Sequence, residues 1–320
     1  MRPLDPVPIE AISDARGRIV GAALRTPLIP LETTDPELRV WLKLESLQPI
    51  GSFKIRGAAN AMALADPTAL ERGVYTGSAG NMAQGVAFNA RRLGVGCRVI
   101  VPDSAPETKL DAIDRLGGVT VRVPFDEWWA VLRDHGHPAE EGFFIHPVSD
   151  PNVIAGHGTI GLEILEDLPD VSAVVVPYGG GGLSSGIASA LAAHESDVPV
   201  YAAEVGTAAP FAASLEAGAP VEVDRIPTFV DGIGGKGVLP EMWPLTRSLL
   251  AGSLVMSIEE VCEAIRRLVS SGHVVAEGAG GCAVAAALSG RAGKGDVVAV
   301  VSGGNIDTSV LATILAGRTP

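Results

Sequence analysis

The sequence predicts an α/β fold: two domains, each a mostly parallel, twisted sheet flanked by helices. Three observations carry this. Short apolar strand segments alternate with helical segments along the chain, the pattern of repeated strand–helix units. The stretch from Val171 to Pro177 is apolar almost without interruption, as expected of a strand covered on both faces. Loops of small residues recur between strand and helix, where such folds bind ligands. There are more strand–helix units than one compact sheet needs. Residues 1–43 and 148–320 are therefore assigned to a large domain, and residues 44–147 to a small domain inserted in it.

The elements follow in order. Ile9 to Leu24 has apolar residues near helical spacing. Arg25 to Leu31 contains Thr26-Pro27 and is expected to be extended. Val40 to Glu45 alternates as a strand. An Ala-rich helix follows Lys54, with Ser52 as its expected N-cap, and ends near Asp66-Pro67. Gly73 to Thr76 is a strand, Asn81 to Leu93 a helix, Arg98 to Val101 a strand and Pro106 to Leu116 a helix. Val119 to Val123 is a strand and Phe125 to Arg133 a helix, with Trp128 and Trp129 as packing residues. Phe143 to Ile145 is a short strand. Asn152 to Leu168 is a longer helix. After the Val171–Pro177 strand, Leu183 to His194 is a helix, Val198 to Glu204 a strand and Ala208 to Ala217 a helix. Pro220 to Gly237 is irregular. Leu239 to Leu250 is mostly helical, and Ile258 to Ser271 is a helix opened by a Ser257/Glu260 capping box. Ala279 to Leu288 is a buried helix of small residues, Asp296 to Val301 a strand, and Ile306 to Leu315 the closing helix.

Composition bounds the function. The chain has 320 residues, of which 47% are apolar, yet no run reaches the length of a membrane span. The first ten residues have neither a signal-peptide nor a transit-peptide layout, so a cytoplasmic location is expected. A net charge of −13 argues against nucleic acid and anionic membranes as partners. Cys97, Cys262 and Cys282 are scattered and odd in number, so they read as free thiols. His135 and His137 read as a surface turn beside Pro138.

Four loops and one lysine carry chemistry. Lys54 would sit in the first turn of its helix, where the dipole disfavours a cation and favours a neutral or condensed amine. On that segment alone, a surface lysine is the weightier reading. Gly179 to Gly182 follows a buried strand and opens a helix, an arrangement that points backbone N–H groups at a phosphate. Ser78-Ala79-Gly80-Asn81, with Gln84 one turn on, either binds a ligand carboxylate or is an ordinary helix cap. Ser302-Gly303-Gly304-Asn305 either presents a hydroxyl to a ring nitrogen or is a glycine turn with an Asn cap. Glu277 is either a buried carboxylate with a raised pKa or a solvated one at a helix start. One phosphate, one ring, one carboxylate-bearing substrate and one lysine together fit pyridoxal 5′-phosphate.

At these residues the chain resembles the serine/threonine dehydratases (ammonia-lyases) of the tryptophan-synthase-β-like, fold type II pyridoxal phosphate enzymes. The motifs are Ser52-Phe53-Lys54-Ile55-Arg56-Gly57, Ser78 to Asn81 with Gln84, Gly179 to Gly182, and Ser302 to Asn305. They stand in family order over nearly the whole chain. The resemblance implies that the cofactor lies in the cleft between the domains, joined to Lys54 as a Schiff base. It implies further cofactor contacts from Phe53, Asn81, Gly179, Gly180, Gly181, Gly182, Leu183, Glu277, Ser302 and Gly303. Ser78, Ala79, Gly80, Asn81 and Gln84 would hold the substrate. The implied reaction is β-elimination from L-threonine or L-serine, giving a 2-oxo acid and ammonia, with Lys54 as general base. A racemase, a dehydratase of 3-hydroxyaspartate or phenylserine, and a non-catalytic phosphate-ligand binding protein are the alternatives. Serine racemases of the family carry a second serine where this chain has Ala79, which disfavours racemisation. No metal is expected: Glu204 and Ala208 match the family's cation site, but Pro210 replaces its Asp. Val148 and Ser149 lie where relatives often have other site-lining residues. A homodimer is expected, without the regulatory domain of biosynthetic threonine dehydratases.

Overall fold

The computed structural model describes residues 2–194 and 197–320. The chain begins with α1 (Ile9–Arg18), the antiparallel pair β1 (Leu28–Leu31) and β2 (Leu38–Leu44), and a 3-10 turn at Glu45–Leu47. Next come α2 (Lys54–Ala63), α3 (Pro67–Glu71), β3 (Val74–Gly77), α4 (Asn81–Leu93), β4 (Cys97–Pro102), α5 (Glu107–Arg115), β5 (Val119–Val123), α6 (Phe125–Arg133) and β6 (Phe143–Phe144). The rest runs through α7 (Pro151–Asp167), β7 (Ala173–Pro177), α8 (Gly182–Ala193), β8 (Val200–Val205), α9 (Pro210–Ala217), α10 (Trp243–Leu249) and β9 (Gly252–Met256). It closes with α11 (Ile258–Ser270), α12 (Gly278–Leu288), β10 (Gly295–Val301) and α13 (Thr308–Leu315).

Two sheets result. The larger has the order β1-β2-β10-β7-β8-β9, and the smaller β5-β4-β3-β6. Every pairing except β1–β2 is parallel. Parallel strands need covering on both faces, and the cores show it. On one face of the large sheet, Val297, Ala299 and Val301 pack with α11 and α12 residues such as Ile265 and Ala283. On the other, Val174, Val176, Val298 and Val300 pack with Ile160 of α7 and Ile187 of α8. The small sheet buries Val74, Val99 and Val101 against Met62 of α2 and Met82 and Val86 of α4. Its opposite face packs on Val131 of α6.

Several sequence expectations need correction. Ser52 does not cap α2: Phe53 holds that position without a side-chain bond, and the buried Ser52 hydroxyl has no partner among the described residues. The first helix stops at Arg18 rather than Leu24, and Gly21 beyond it turns the chain at φ +76°. Strand β9 has no counterpart among the expected elements. It is the large sheet's edge, defined by pairing with β8 rather than by its own pattern. Trp128 packs in the small core, whereas Trp129 is 38% exposed.

Helices approach closely in the middle of the molecule. A Cβ on Gly186 of α8 would lie 2.5 Å from the Ile154 carbonyl oxygen and 2.8 Å from the Gly158 nitrogen of α7. A Cβ on Gly156 of α7 would lie 2.6 Å from the Arg56 carbonyl of α2. These neighbours are backbone and cannot rotate away. Gly186→Ala is therefore expected to destabilise the fold by about 1–3 kcal/mol, the range for overpacking. Gly17→Ala, in α1 with open space at its Cβ position, is expected to stabilise by about 0.5–1 kcal/mol. Denaturant midpoints of the two variants check this; equal effects would contradict it.

Candidate active site

Every loop singled out above leaves the carboxyl end of a strand or opens a helix, and the two sheets bring them together. Ser78 to Gly80 follows β3, Tyr178 to Gly181 follows β7, and Ser302 to Asn305 follows β10. The loop before α2 zips onto the loop after β10. Phe53 N–H donates to Ser302 O at 3.0 Å, Gly304 N–H to Gly51 O at 2.9 Å, and Asn305 Nδ2 to Ile50 O at 2.9 Å. Glu277 N–H donates to Gly303 O at 2.9 Å and ties α12 to the same place.

Lys54 is the first residue of α2, and its Nζ donates to the Pro147 carbonyl at 2.6 Å. The amine is crowded by protein and no carboxylate among the described residues pairs with it, so desolvation lowers its pKa from the ordinary lysine value to about 8. Its position 5.2 Å from the Phe53 ring centroid adds a weak cation–π contact. The Pro147 carbonyl is itself fixed. The preceding His146 accepts from Val148 N–H at 3.1 Å and Ser149 N–H at 2.8 Å through Nδ1. Its Nε2 lies 3.1 Å from Leu132 O, which must receive a proton, so the ring is the neutral Nε2–H tautomer. Burial first, then the neighbouring His135, push His146 down to about 4.

The tetraglycine loop has a packing reason as well as a chemical one. A Cβ on Gly180 would meet Val148 Cγ1 at 2.5 Å, and one on Gly182 would meet Val148 O at 2.8 Å. Gly181 adopts φ +92° and a Cβ there would strike Thr246 Cγ2 at 2.6 Å. The loop is thus pressed against the segment that anchors Lys54. The N–H groups of Gly180, Gly181, Gly182 and Leu183 find no protein acceptor among the described residues. Free donors at the start of α8 are what an anionic phosphate needs. Together with the desolvated Lys54 amine, they show that the residues present fit pyridoxal phosphate.

Asn81 begins α4 and is not its cap; Gly80 is, without a side-chain bond. Instead Asn81 Nδ2 donates to both oxygens of Glu277, at 2.9 and 3.1 Å, and Asn305 Nδ2 donates to Asn81 Oδ1 at 2.7 Å. Nor does Asn305 cap α13, a task performed by Asp307. Glu277 is 9% exposed, and burial lifts its pKa to about 7 against the opposing pull of the Asn81 amide. The Ser78 hydroxyl accepts from Gly80 N–H at 3.2 Å, Ala79 and Gln84 are partly buried, and Ser302 is buried.

Glu204 is buried beside the start of α9. Its carboxylate accepts from Phe211 N–H at 2.9 Å, Ala212 N–H at 2.8 Å and Ser253 Oγ at 2.6 Å, so it closes the start of α9. No group of three or more His, Cys, Asp or Glu able to hold a metal occurs among the described residues. Sequence reasoning missed Pro147, whose carbonyl has no sequence mark, and His157. The His157 ring stands edge-on to Phe53 at 4.7 Å, fully buried, with neither nitrogen paired among the described residues. A histidine flanked by Gly156 and Gly158 in the first half of α7 was the available signal.

With this geometry in place, comparison with known proteins is direct. A family model described as "Pyridoxal-phosphate dependent enzyme" matches residues 19–303. The chain belongs to that family, and its cofactor is pyridoxal phosphate. It is 40% identical to an L-threonine ammonia-lyase of Thermotoga maritima, over 97% of this chain and 78% of that one. Among solved structures, maize serine racemase matches with a TM-score of 0.87 and 29% identity, covering 98% of both chains. The processed form of threonine deaminase isoform 2 from Solanum lycopersicum matches with a TM-score of 0.84 and 30% identity, covering 98% of this chain and 95% of that one.

The Glu277 carboxyl makes stability depend on pH. Its folded pKa stands above the unfolded value, so its contribution is full below about pH 4.5 and is lost as pH rises through about 7. The loss is on the order of 3 kcal/mol in the cofactor-free protein. Glu277→Gln removes the dependence. Wild-type stability relative to this variant is expected to fall between pH 4.5 and 8 in denaturant titrations; a constant difference would contradict the burial argument.

Proposed function

We propose that the enzyme eliminates water from L-threonine or L-serine and yields a 2-oxo acid and ammonia. The observation that carries the reading is the Lys54 amine, desolvated, unpaired with any carboxylate and aimed by the Pro147 carbonyl. With a pKa near 8, a useful fraction is neutral at physiological pH and able to take a proton. Bound pyridoxal phosphate supplies an aldehyde for the amine and a conjugated ring that accepts electrons from the substrate α-carbon. The free N–H groups of Gly180, Gly181, Gly182 and Leu183 would hold its phosphate, and Phe53 would pack beside its ring. The Ser302 hydroxyl would face the ring nitrogen, and Gly303 and Glu277 would make further cofactor contacts. Ser78, Ala79, Gly80, Asn81 and Gln84 bind the substrate carboxylate at the start of α4.

Lys54 Nζ removes the α-proton. The β-hydroxyl takes up a proton and leaves as water, so that the α-proton held at Lys54 and the hydroxyl together balance the water lost; the released enamine takes up one water to give the 2-oxo acid and ammonia. Relatives named L-threonine ammonia-lyase support this over a racemase. So does Ala79, which offers no exchangeable proton where racemases of the family place a serine hydroxyl. The same reading divides the chain into a large domain of residues 1–43 and 148–320 and a small one of 44–147, and makes the enzyme a cytoplasmic homodimer acting on a free amino acid. No divalent cation takes part, since the Glu204 carboxylate is committed to the start of α9.

Holoenzyme given L-threonine or L-serine is expected to release 2-oxo acid and ammonia in equal amounts. Lys54→Ala is expected to lower kcat at least ~10²–10⁴-fold, the usual range for loss of a general base. A chelator is expected to leave the rate unchanged. Formation of the D-amino acid as main product would overturn the assignment, and a chelator-sensitive rate would overturn the reading of Glu204.

A further inference from the structure

Two residues beyond Lys54, Arg56 is only 1% exposed and is enclosed by charge. Its Nε and Nη2 donate to the two oxygens of Glu45 at 2.8 and 2.7 Å, while Nη1 and Nη2 donate to the two oxygens of Glu163 at 2.6 and 2.9 Å. Nη1 also reaches Thr159 Oγ1 at 3.1 Å, and Nη2 reaches Leu24 O at 3.0 Å. Lys43 completes the group, with Nζ 2.6 Å from Glu163 Oε2 and 2.7 Å from Thr26 O. Glu45 is held further by Thr26 Oγ1 at 2.6 Å and Gln48 Nε2 at 3.0 Å. Two cations and two anions cancel, all four side chains are at most 5% exposed, and they belong to β2, the turn after it, α2 and α7.

Such a group is a poor device for stability alone. Removing four charges from water costs enough that an apolar replacement of similar volume is often as stable or more so. What it supplies is direction. The rest of α2 is held by the apolar packing of Ile55 and Met62 and by one hydrogen bond, Asn60 Nδ2 to Asn152 O at 2.7 Å, while Gly57, Ala58, Ala59 and Ala61 add close packing without polar direction. No side chain caps its first turn. Positions 54 and 56 lie about 200° apart around a helix, so Arg56 points back into the protein while Lys54 points to the cleft. Two bidentate forks on a planar guanidinium permit one rotation of the helix about its axis.

We propose that Arg56, clamped by Glu45 and Glu163 with Lys43 as counterion, is a positioning residue that sets the rotation of α2 and thereby the aim of the Lys54 amine. It acts through Lys54, and the proposal rests on the catalytic reading of that lysine. Burial disfavours charge on Arg56, but the two carboxylates outweigh it and raise its pKa, so the clamp is closed across the working pH range.

Two variants of the holoenzyme test this. Arg56→Lys keeps the charge but cannot form two forks. The combined change Lys43→Met, Glu45→Leu, Arg56→Met and Glu163→Leu replaces the group with apolar side chains. The apolar combination is expected to fold with its thermal midpoint near or above wild type and Arg56→Lys to fold with a lowered midpoint, since two buried carboxylates lose donors; both are expected to lower kcat about 10- to 100-fold with little change in KM, the scale of an ångström misplacement. The circular dichroism that the protein induces in the cofactor absorption band is expected to fall in parallel. Folded variants with wild-type kcat and wild-type dichroism would overturn the proposal. So would failure of both to fold, since the charges would then serve stability. Lys54→Ala is the control: if it leaves activity and the cofactor band intact, the reading of Lys54 fails; if it abolishes both while the variants behave as wild type, only the positioning role fails.

Discussion

The hydrogen bond from the Lys54 amine to the Pro147 carbonyl joins the two halves of the site. An amine without a carboxylate partner and with little water around it is unfavourable as a cation. It is also placed at a helix start, where the dipole opposes positive charge. Both effects push toward the neutral base, and the carbonyl fixes where that base points. The acceptor is not a loose loop atom. His146 locks the turn on one side through its neutral tautomer, and Val148 on the other fills the space left by two glycines of the tetraglycine loop. Moving the lysine's acceptor would therefore disturb the anion site as well.

Close packing of backbone is the second constraint, and it accounts for more of the glycines than ligand approach does. The glycines of the tetraglycine loop meet Val148 and Thr246, while Gly156, Gly158 and Gly186 let α2, α7 and α8 stack without intervening side chains. These contacts bring the helix start bearing Lys54 near the helix start bearing the free N–H groups. The α4 side of the site is shaped differently. There, Asn81, Glu277 and Asn305 bond to one another between α4 of the small sheet and two loops of the large one. Burial raises the pKa of Glu277 to about 7, so its charge is the part of that chain that responds to pH near neutrality.

Much of this is legible in the sequence, and the remainder has a common reason. The ranges of α4, β5 and α6 agree with the sequence pattern to the residue, and the capping box of α11 is visible as Ser257 and Glu260. All are local patterns of spacing and capping. The tetraglycine loop is legible because a tight turn between a strand and a helix needs one or two glycines, not four. Partners distant in sequence are not legible. Ser52 looks like a cap until the backbone before α2 pairs with the loop after β10. Strand β9 has a weak pattern of its own and exists through β8. Arg56, Glu45, Glu163 and Lys43 look like surface charges one at a time, because nothing local shows that four distant residues neutralise each other in the interior. The bonds that Glu204 accepts from the start of α9 and from Ser253, 49 residues away, are likewise invisible in the sequence.

The proposed function makes Lys54, among five lysines, the residue that carries the cofactor and handles the α-proton. Borohydride reduction of the holoenzyme followed by peptide mass spectrometry tests this directly. One pyridoxyl phosphate group per chain is expected, on the peptide containing Lys54 and lost in Lys54→Ala. A label on Lys43, Lys109, Lys236 or Lys294, or no label on a protein that still turns over substrate, would contradict it.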